Sequence, residues 1–200
     1  ELRVGPLTFK NVPALVIDEK TEYWKETGGI LPLWLLRNYG LHYDRRRSKL
    51  ELLPSGSAPD QVLGGGSFQM KSLWFGQRPY VEARIQNRPS SYLLLAANSP
   101  ATYLEQRRAQ ELGIAVLTAK YGPQQARGFY NIITSQIAEN VTLYLGPTRI
   151  NLPTVHVADL CADCTVDCYG VLGRNILDLF DVYLDYPANA AAFRGYEKGK

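Results

Sequence analysis

Short runs of alternating or β-branched apolar residues dominate the chain. They fall at 14–18, 40–44, 50–53, 81–85, 92–95, 114–118, 141–145, 154–158 and 182–186, each bounded by Gly, Pro, Asn or Asp. Alternation at every second residue puts one face of an extended chain in a core and the other in water, so each run is expected to be a strand. Helical spacing is rarer. Leu104, Arg108 and Leu112 recur every four residues ahead of Gly113, which predicts a helix over 101–112. Shorter helices are expected over 174–180, after Gly173, and over 33–38. Many short strands, closely spaced turns and few helices predict an all-β barrel or sandwich.

The pattern occurs twice. Leu2-Arg3-Val4-Gly5-Pro6, Asn11-Val12-Pro13 and Val16-Ile17-Asp18 are matched by Leu143-Tyr144-Leu145-Gly146-Pro147, Asn151-Leu152-Pro153 and Val157-Ala158-Asp159. The run from Gly29 to Leu36 is matched by the run from Gly170 to Leu177. The separation is the same from Gly5 to Gly146, from Gly29 to Gly170 and from Asp44 to Asp185. One offset kept across so many positions predicts a duplicated unit, hence two lobes about a pseudo-twofold axis. The second copy has its own upstream residues from Tyr80 to Thr142, whereas only Glu1 precedes the first. A front half-lobe is therefore expected to be missing, as a cleaved segment or a second chain. The expected organisation is the rear half of a first lobe at 1–55, a linker at 56–79 rich in Gly, Pro and Ser, and a second lobe at 80–200.

The chain has 200 residues, 46% of them hydrophobic and 20% charged, which is enough to build a core and excludes a disordered tail, a collagenous repeat or a long coiled coil. Net charge is +3, too mild to argue for nucleic acid. Arg45-Arg46-Arg47 reads as a solvated strand end. No apolar run reaches the ~18 residues of a membrane helix, and the best one, at 30–36, contains Pro32. Cys161, Cys164 and Cys168 follow His156. All four sit on one short stretch, whereas structural zinc sites join separated pairs. A loop with one disulfide and a spare thiol, or with three thiols, is the preferred reading, and no metal or cofactor is expected. Gly64-Gly65-Gly66 lacks a following Lys-Ser/Thr and is no phosphate loop. His42 and His156 each stand alone, without a serine-hydrolase order around them.

The segment Gly170-Val171-Leu172-Gly173-Arg174-Asn175-Ile176-Leu177 resembles the hydrophobic-hydrophobic-Gly-Arg-Asn-Leu-Leu motif of retropepsin/pepsin-like aspartic proteases. The stretch 81–89 resembles the first strand pair of that family, with Asn87 as its turn residue, and 92–95 the strand that leads into the catalytic loop. Thr102, Leu104, Ala109 and Leu112-Gly113 fit the family's sequence after that loop. The resemblance implies an all-β, pseudo-twofold, two-lobed β-barrel with short helices. It also implies an extended peptide or protein substrate between the lobes and a weak leaning towards a periplasmic or secreted location. Gly173, Arg174 and Asn175 would support the active-site loop through a buried Arg/Asn network. Tyr121, Gly122, Gly128 and Tyr130 would belong to a hairpin closing over substrate.

One departure decides the expected activity. The family's Asp-Thr-Gly-Ala falls on Ala96-Ala97-Asn98-Ser99. The chemistry requires two carboxylates sharing one proton, one activating water and the other polarising the scissile carbonyl. The methyl group of Ala96 does neither. Either the lobe has degenerated naturally, or an Asp was replaced. The expectation is a catalytically incompetent chain that binds a peptide or its own missing segment. The rivals are an active endopeptidase whose other Asp lies upstream, and a structural or inhibitory module on the same scaffold. Asp18 and Asp159 are a distant second choice as a catalytic pair. Asp44 and Asp185 read as structural acids at strand ends.

Overall fold

At Gly146-Pro147 the chain reverses within two residues. Gly146 takes a φ of +52°, a left-handed conformation open to glycine, and Leu145 pairs with Thr148 across the turn. Gly5-Pro6 makes the same reversal, with Gly5 at +56° and Val4 paired with Leu7. These features belong to a computed structural model that describes residues 1–12, 33–75, 78–127, 132–160 and 168–196. The chain divides into two units, Glu1–Pro32 and Leu33–Lys200. The described part of the first is the hairpin of β1 (Leu2–Val4) and β2 (Leu7–Phe9).

The second unit is mostly strand. In chain order it holds β3 (Tyr39–Asp44), β4 (Lys49–Pro54), β5 (Phe68–Phe75), β6 (Arg78–Ile85), β7 (Ser91–Leu95), β8 (Tyr103–Glu105) and β9 (Gln124–Arg127). They are followed by β10 (Ile132–Leu145), β11 (Thr148–Ala158), β12 (Gly170–Leu172), β13 (Phe180–Asp185) and β14 (Ala190–Gly195). The strands form one sheet in the order β4-β3-β13-β14-β5-β6-β7-β12-β8-β11-β10-β9. An additional β6–β10 pairing closes β6, β7, β12, β8, β11 and β10 into a barrel. Val81, Ile85, Leu93, Leu143, Val157 and Leu172 fill its core, each at most 2% exposed. β5 joins the barrel to the open part of the sheet: Phe68 to Lys71 pair with β14, and Ser72 to Phe75 with β6.

In the open part, element bounds recur at the repeat offset seen in the sequence. The 3₁₀ turn Leu33–Leu36 answers to the helix Arg174–Leu177, β3 to β13, and β4 to β14. β3 and β13 pair antiparallel with His42 opposite Tyr183, so each strand meets its counterpart at the same position. Local details agree. The backbone N–H of Arg47 donates to Asp44 at 3.0 Å and that of Ala188 to Asp185 at 3.2 Å, and Ser48 and Asn189 both take positive φ. The seam is close-packed at Gly40, where an added Cβ would lie 2.5–2.9 Å from the ring of Tyr183, itself fully buried. Gly40→Ala is expected to destabilise the chain by about 2 kcal/mol through overpacking, read as a lowered urea midpoint at unchanged m-value.

Several expectations are corrected. Residues 103–105 form β8, not the start of a helix, and the helix is confined to Gln106–Glu111. Tyr103, Leu104 and Glu105 are all at most 8% exposed, and β8 bonds to β11 on one side and β12 on the other. Burial on both faces removes the alternation that marks a strand. The run 114–118 gives only a bridge between Val116 and Ala138 before the helix Thr118–Tyr121 begins. The expected linker 56–79 contains the helix Pro59–Leu63 and all of β5, with Leu63 1% exposed against Tyr183 and Ala192. The helix after Gly173 ends at Leu177, and the first-copy turn at Leu36. Positive φ in the turn after β6 falls on Gln86, not Asn87. The expected strand at 14–18 lies outside the described residues.

Candidate functional site

β7 and β12 run parallel, with Leu93, Leu94 and Leu95 opposite Gly170, Val171 and Leu172. β8 flanks the other side of β12, so the connection 96–102 between β7 and β8 must loop over the end of β12. The residues expected at the active-site loop are therefore brought together. The N–H of Ala96 donates to Leu172 O at 3.0 Å and that of Ser99 to Ala96 O at 3.0 Å, while the Ser99 hydroxyl donates to Ala101 O at 2.8 Å. Ser99 and Thr102 are buried; only Ala97 and Asn98, at the tip, and Pro100 are exposed.

The helix Arg174–Leu177 caps itself on this loop. Its first N–H groups have no partner inside the helix; those of Arg174 and Asn175 donate to Ser99 O and Pro100 O at 2.8 and 3.3 Å. Thr102 ties the two together: its hydroxyl accepts from the N–H of Gly173 at 3.1 Å and donates to Asn175 Oδ1 at 2.8 Å. Gly173 has to be glycine, because a Cβ there would lie 2.1 Å from Ala101 O. Arg174 corrects the expected buried Arg/Asn network, since it and Asn175 are exposed. The one-turn helix buries Ile176 and Leu177, which turns the two preceding side chains outward.

Ala96 itself is 2% exposed and belongs to an apolar cluster with Tyr80, Leu94, Tyr103, Ala158, Leu160 and Val171. The position holds a buried methyl among hydrocarbon. Among the described residues, no group of three or more His, Cys, Asp or Glu could hold a metal ion. A shallow cavity of about 250 Å³ lies on β5, β6 and β10, lined by Lys71, Glu82, Arg84 and Tyr144 among others, and none of its lining residues comes from the 96–102 loop.

Residues expected at the closing hairpin are partly described. β9 and β10 pair from Gln124 to Arg127 and from Ile132 to Ser135, and Tyr121 and Gly122 correct the expectation, since they lie in and just after a helix that precedes β9. Tyr121 ends the preceding helix, and its hydroxyl donates to Glu139, which Lys120 also contacts at 2.5 Å. The Lys120 and then the Tyr121 hydrogen bond hold the Glu139 carboxyl below its ordinary range. Gly122 caps that helix at a φ of +66°. Gly128 and Tyr130 lie outside the described residues, as do Asp18, Cys161 and Cys164. Cys168 is buried, its thiol donating to Gly170 O at 3.5 Å. Asp159 is exposed.

Two groupings are not legible as motifs. His156 Nδ1 lies 2.9 Å from the Ser135 hydroxyl, and burial pushes the imidazole below its ordinary pKa. Ser135 is 1% exposed, so no substrate carbonyl reaches it and the pair is structural. At the seam, His42 bonds Glu51 through Nδ1 at 2.8 Å and Asp181 through Nε2 at 3.1 Å. Lys49 and Arg194 complete the chain at 2.5 Å each. Lys49, then His42, hold the Glu51 carboxyl below its ordinary range. Position 42 pairs with 51 in β4 and 183 in β13, so only the strand register could reveal this network.

No family model and no curated protein matches the chain. Solved structures do. The chain is similar to a retropepsin-like aspartic protease from Rickettsia conorii, at 15% identity and a TM-score of 0.42, over 64% of this chain and 90% of that one. It is also similar to EIAV protease, solved in complex with the inhibitor HBY-793, at 20% identity and a TM-score of 0.38, over 52% of this chain and 88% of that one.

Proposed function

We propose that this chain is a degenerate aspartic-protease-like module that has kept the scaffold of a catalytic loop and lost its acid. On this reading residues 1–55 and 80–200 derive from one duplicated unit, and the chain holds an extended peptide rather than cleaving it. The observation that carries the reading is the buried methyl of Ala96 at the head of a loop in which Thr102 hydrogen-bonds Gly173 and Asn175. Nothing at position 96 can activate water or share a proton.

Incubation with a mixed peptide library between pH 3 and 7, followed by mass spectrometry, tests it. The expected result is no cleavage by the unaltered chain; cleavage overturns the reading. Ala96→Asp supplies a second, independent test. A carboxylate buried among Tyr80, Leu94 and Val171 is expected to lower stability at pH 7 by about 2 kcal/mol. Burial raises the folded pKa, so the penalty is full above that raised value. It shrinks as pH falls towards the ordinary carboxylate value of about 3.9, where the acid is neutral in both states. An Ala96→Asp variant as stable as the parent at pH 7 would favour the rival reading, a site built for an ionised acid.

A further inference from the structure

The cavity of about 250 Å³ lies where the sheet forks. β5 pairs with β6 from Arg78 to Val81, and β10 pairs with it at Arg84 and Ile85. Glu82 and Ala83 lie between, in the fork that the two strands leave. Alternation along β6 buries Val81, Ala83 and Ile85 and turns Glu82 and Arg84 to the other face. An acid and a base two residues apart on one strand face stand about 7 Å apart and could pair directly. Here each is drawn to a different neighbour. The guanidinium carbon of Arg84 lies 3.9 Å from the centroid of the Tyr144 ring on β10, and the Glu82 carboxylate faces Lys71 on β5 at 3.8 Å. Neither contact uses up the charge. At 3.8 Å the Lys71 ammonium is beyond hydrogen-bond distance, and its side chain is 77% exposed, so the pair is weak. Among the described residues no acid pairs with Arg84, and its fork of N–H donors is open to a carboxylate. Gly146 also lines the cavity, as bare backbone packed against the ring of Phe68.

We propose that this fork is a binding site for a free α-amino acid, with the ligand's ammonium on Glu82 and its carboxylate on Arg84. The two charged groups of such a molecule sit on one carbon, so it bridges an acid and a base that do not reach each other. Lys71 is the internal stand-in for the ammonium. It gives way at little cost, because an exposed side chain returns to water. A plain anion would be drawn by Lys71 and Arg84 but repelled by Glu82, and a plain cation the reverse; only a ligand carrying both signs satisfies the acid and the base together. The volume lies below the roughly 300–1,000 Å³ of drug-sized pockets, which suits a small ligand. The site stands apart from the loop at 96–102, none of whose residues line it.

The whole chain is titrated with L-alanine, with propionate, which keeps the carboxylate and drops the ammonium, and with ethylamine, which does the reverse. Backbone amide shifts are followed by NMR. Saturable shifts around Glu82, Arg84, Tyr144 and Gly146 are expected with millimolar L-alanine, with propionate and ethylamine each binding roughly tenfold more weakly. Glu82→Gln should weaken L-alanine roughly tenfold without weakening propionate, whereas Arg84→Gln should weaken both. Lys71→Ala should leave L-alanine binding intact; a loss would put the carboxylate on Lys71 and overturn the assignment to Arg84. The proposal is also overturned if propionate matches L-alanine, which would make the fork a plain anion site, if shifts fail to saturate or fall elsewhere, or if Glu82→Gln keeps the preference for L-alanine. Should Arg84→Gln lose the fold along with its contact on Tyr144, the three ligands compared on the unaltered chain and on Glu82→Gln still decide.

Discussion

Gly173→Ala is expected to destabilise the chain by about 3 kcal/mol or more and to release the 96–102 loop. The added methyl would sit 2.1 Å from Ala101 O and 3.0 Å from Ser99 O. Both are backbone atoms, and Ser99 O already accepts from Arg174. Neither can step aside without breaking the bonds that cap the helix. Relief therefore requires the loop to lift, which parts Thr102 from both Gly173 and Asn175 and opens the cluster around Ala96. Urea unfolding measures the loss, and hydrogen exchange at Ala96 and Ser99 should rise with it. Gly65 is the control: nothing lies within 4 Å of its missing Cβ, so Gly65→Ala should stay within about 0.5 kcal/mol of the parent.

Asp185→Ala should lower stability by about 3 kcal/mol at pH 7. The carboxylate is 1% exposed and receives four hydrogen bonds: from the Ser55 hydroxyl at 2.8 Å, the Gly56 N–H at 2.6 Å, the Ala188 N–H at 3.2 Å and the Tyr183 hydroxyl at 3.0 Å. Burial alone would raise its pKa, but the four donors together hold it below the ordinary 3.8. Burial, and then this same acid, push Tyr183 up to about 12. A depressed carboxyl contributes stability that is complete above its unfolded pKa and disappears as pH falls through the folded one. Denaturant midpoints measured from pH 7 down to acid should thus show the parent converging on Asp185→Asn below about pH 4. A gap that stays constant with pH would show that the negative charge contributes nothing. The loss in Asp185→Ala is that of four hydrogen bonds at once, and it leaves the buried Tyr183 hydroxyl without its carboxylate partner.

Much of this architecture can be read from residue order. Strands with one wet face announce themselves by alternation, as at 81–85, where Val81, Ala83 and Ile85 are buried and Glu82 and Arg84 between them are less so. The Gly-Pro pairs mark two hairpins in the same register. The helix after Gly173 is legible because its glycine and the residues behind it form a motif. β8 is hidden because its three residues are buried on both faces, so no alternation survives and a chance spacing of Leu104 and Leu112 mimics a helix. The stretch at 56–79 reads as a linker because small residues at Gly64, Gly65 and Gly66 outweigh the Phe68-x-Met70 alternation beside them. Analogy places Arg174 inside, yet the helix it opens has only one apolar side to offer.

Order along the chain thus settles which segments are extended, where they turn, that the pattern around Gly5 returns at Gly146, and that position 96 carries no acid. These properties are local, or they are comparisons of one stretch with another. Folding in three dimensions alone settles which strands become neighbours. It places β12 between β7 and β8, sets His42 against Glu51 and Asp181, and puts Leu50 on the last strand of the described sheet while Ala191 is buried beside β5. Strand pairing joins residues far apart in the chain through backbone groups that every residue shares, so no side-chain pattern encodes the choice of partner. That choice is made by the closure of the barrel and the packing of its core.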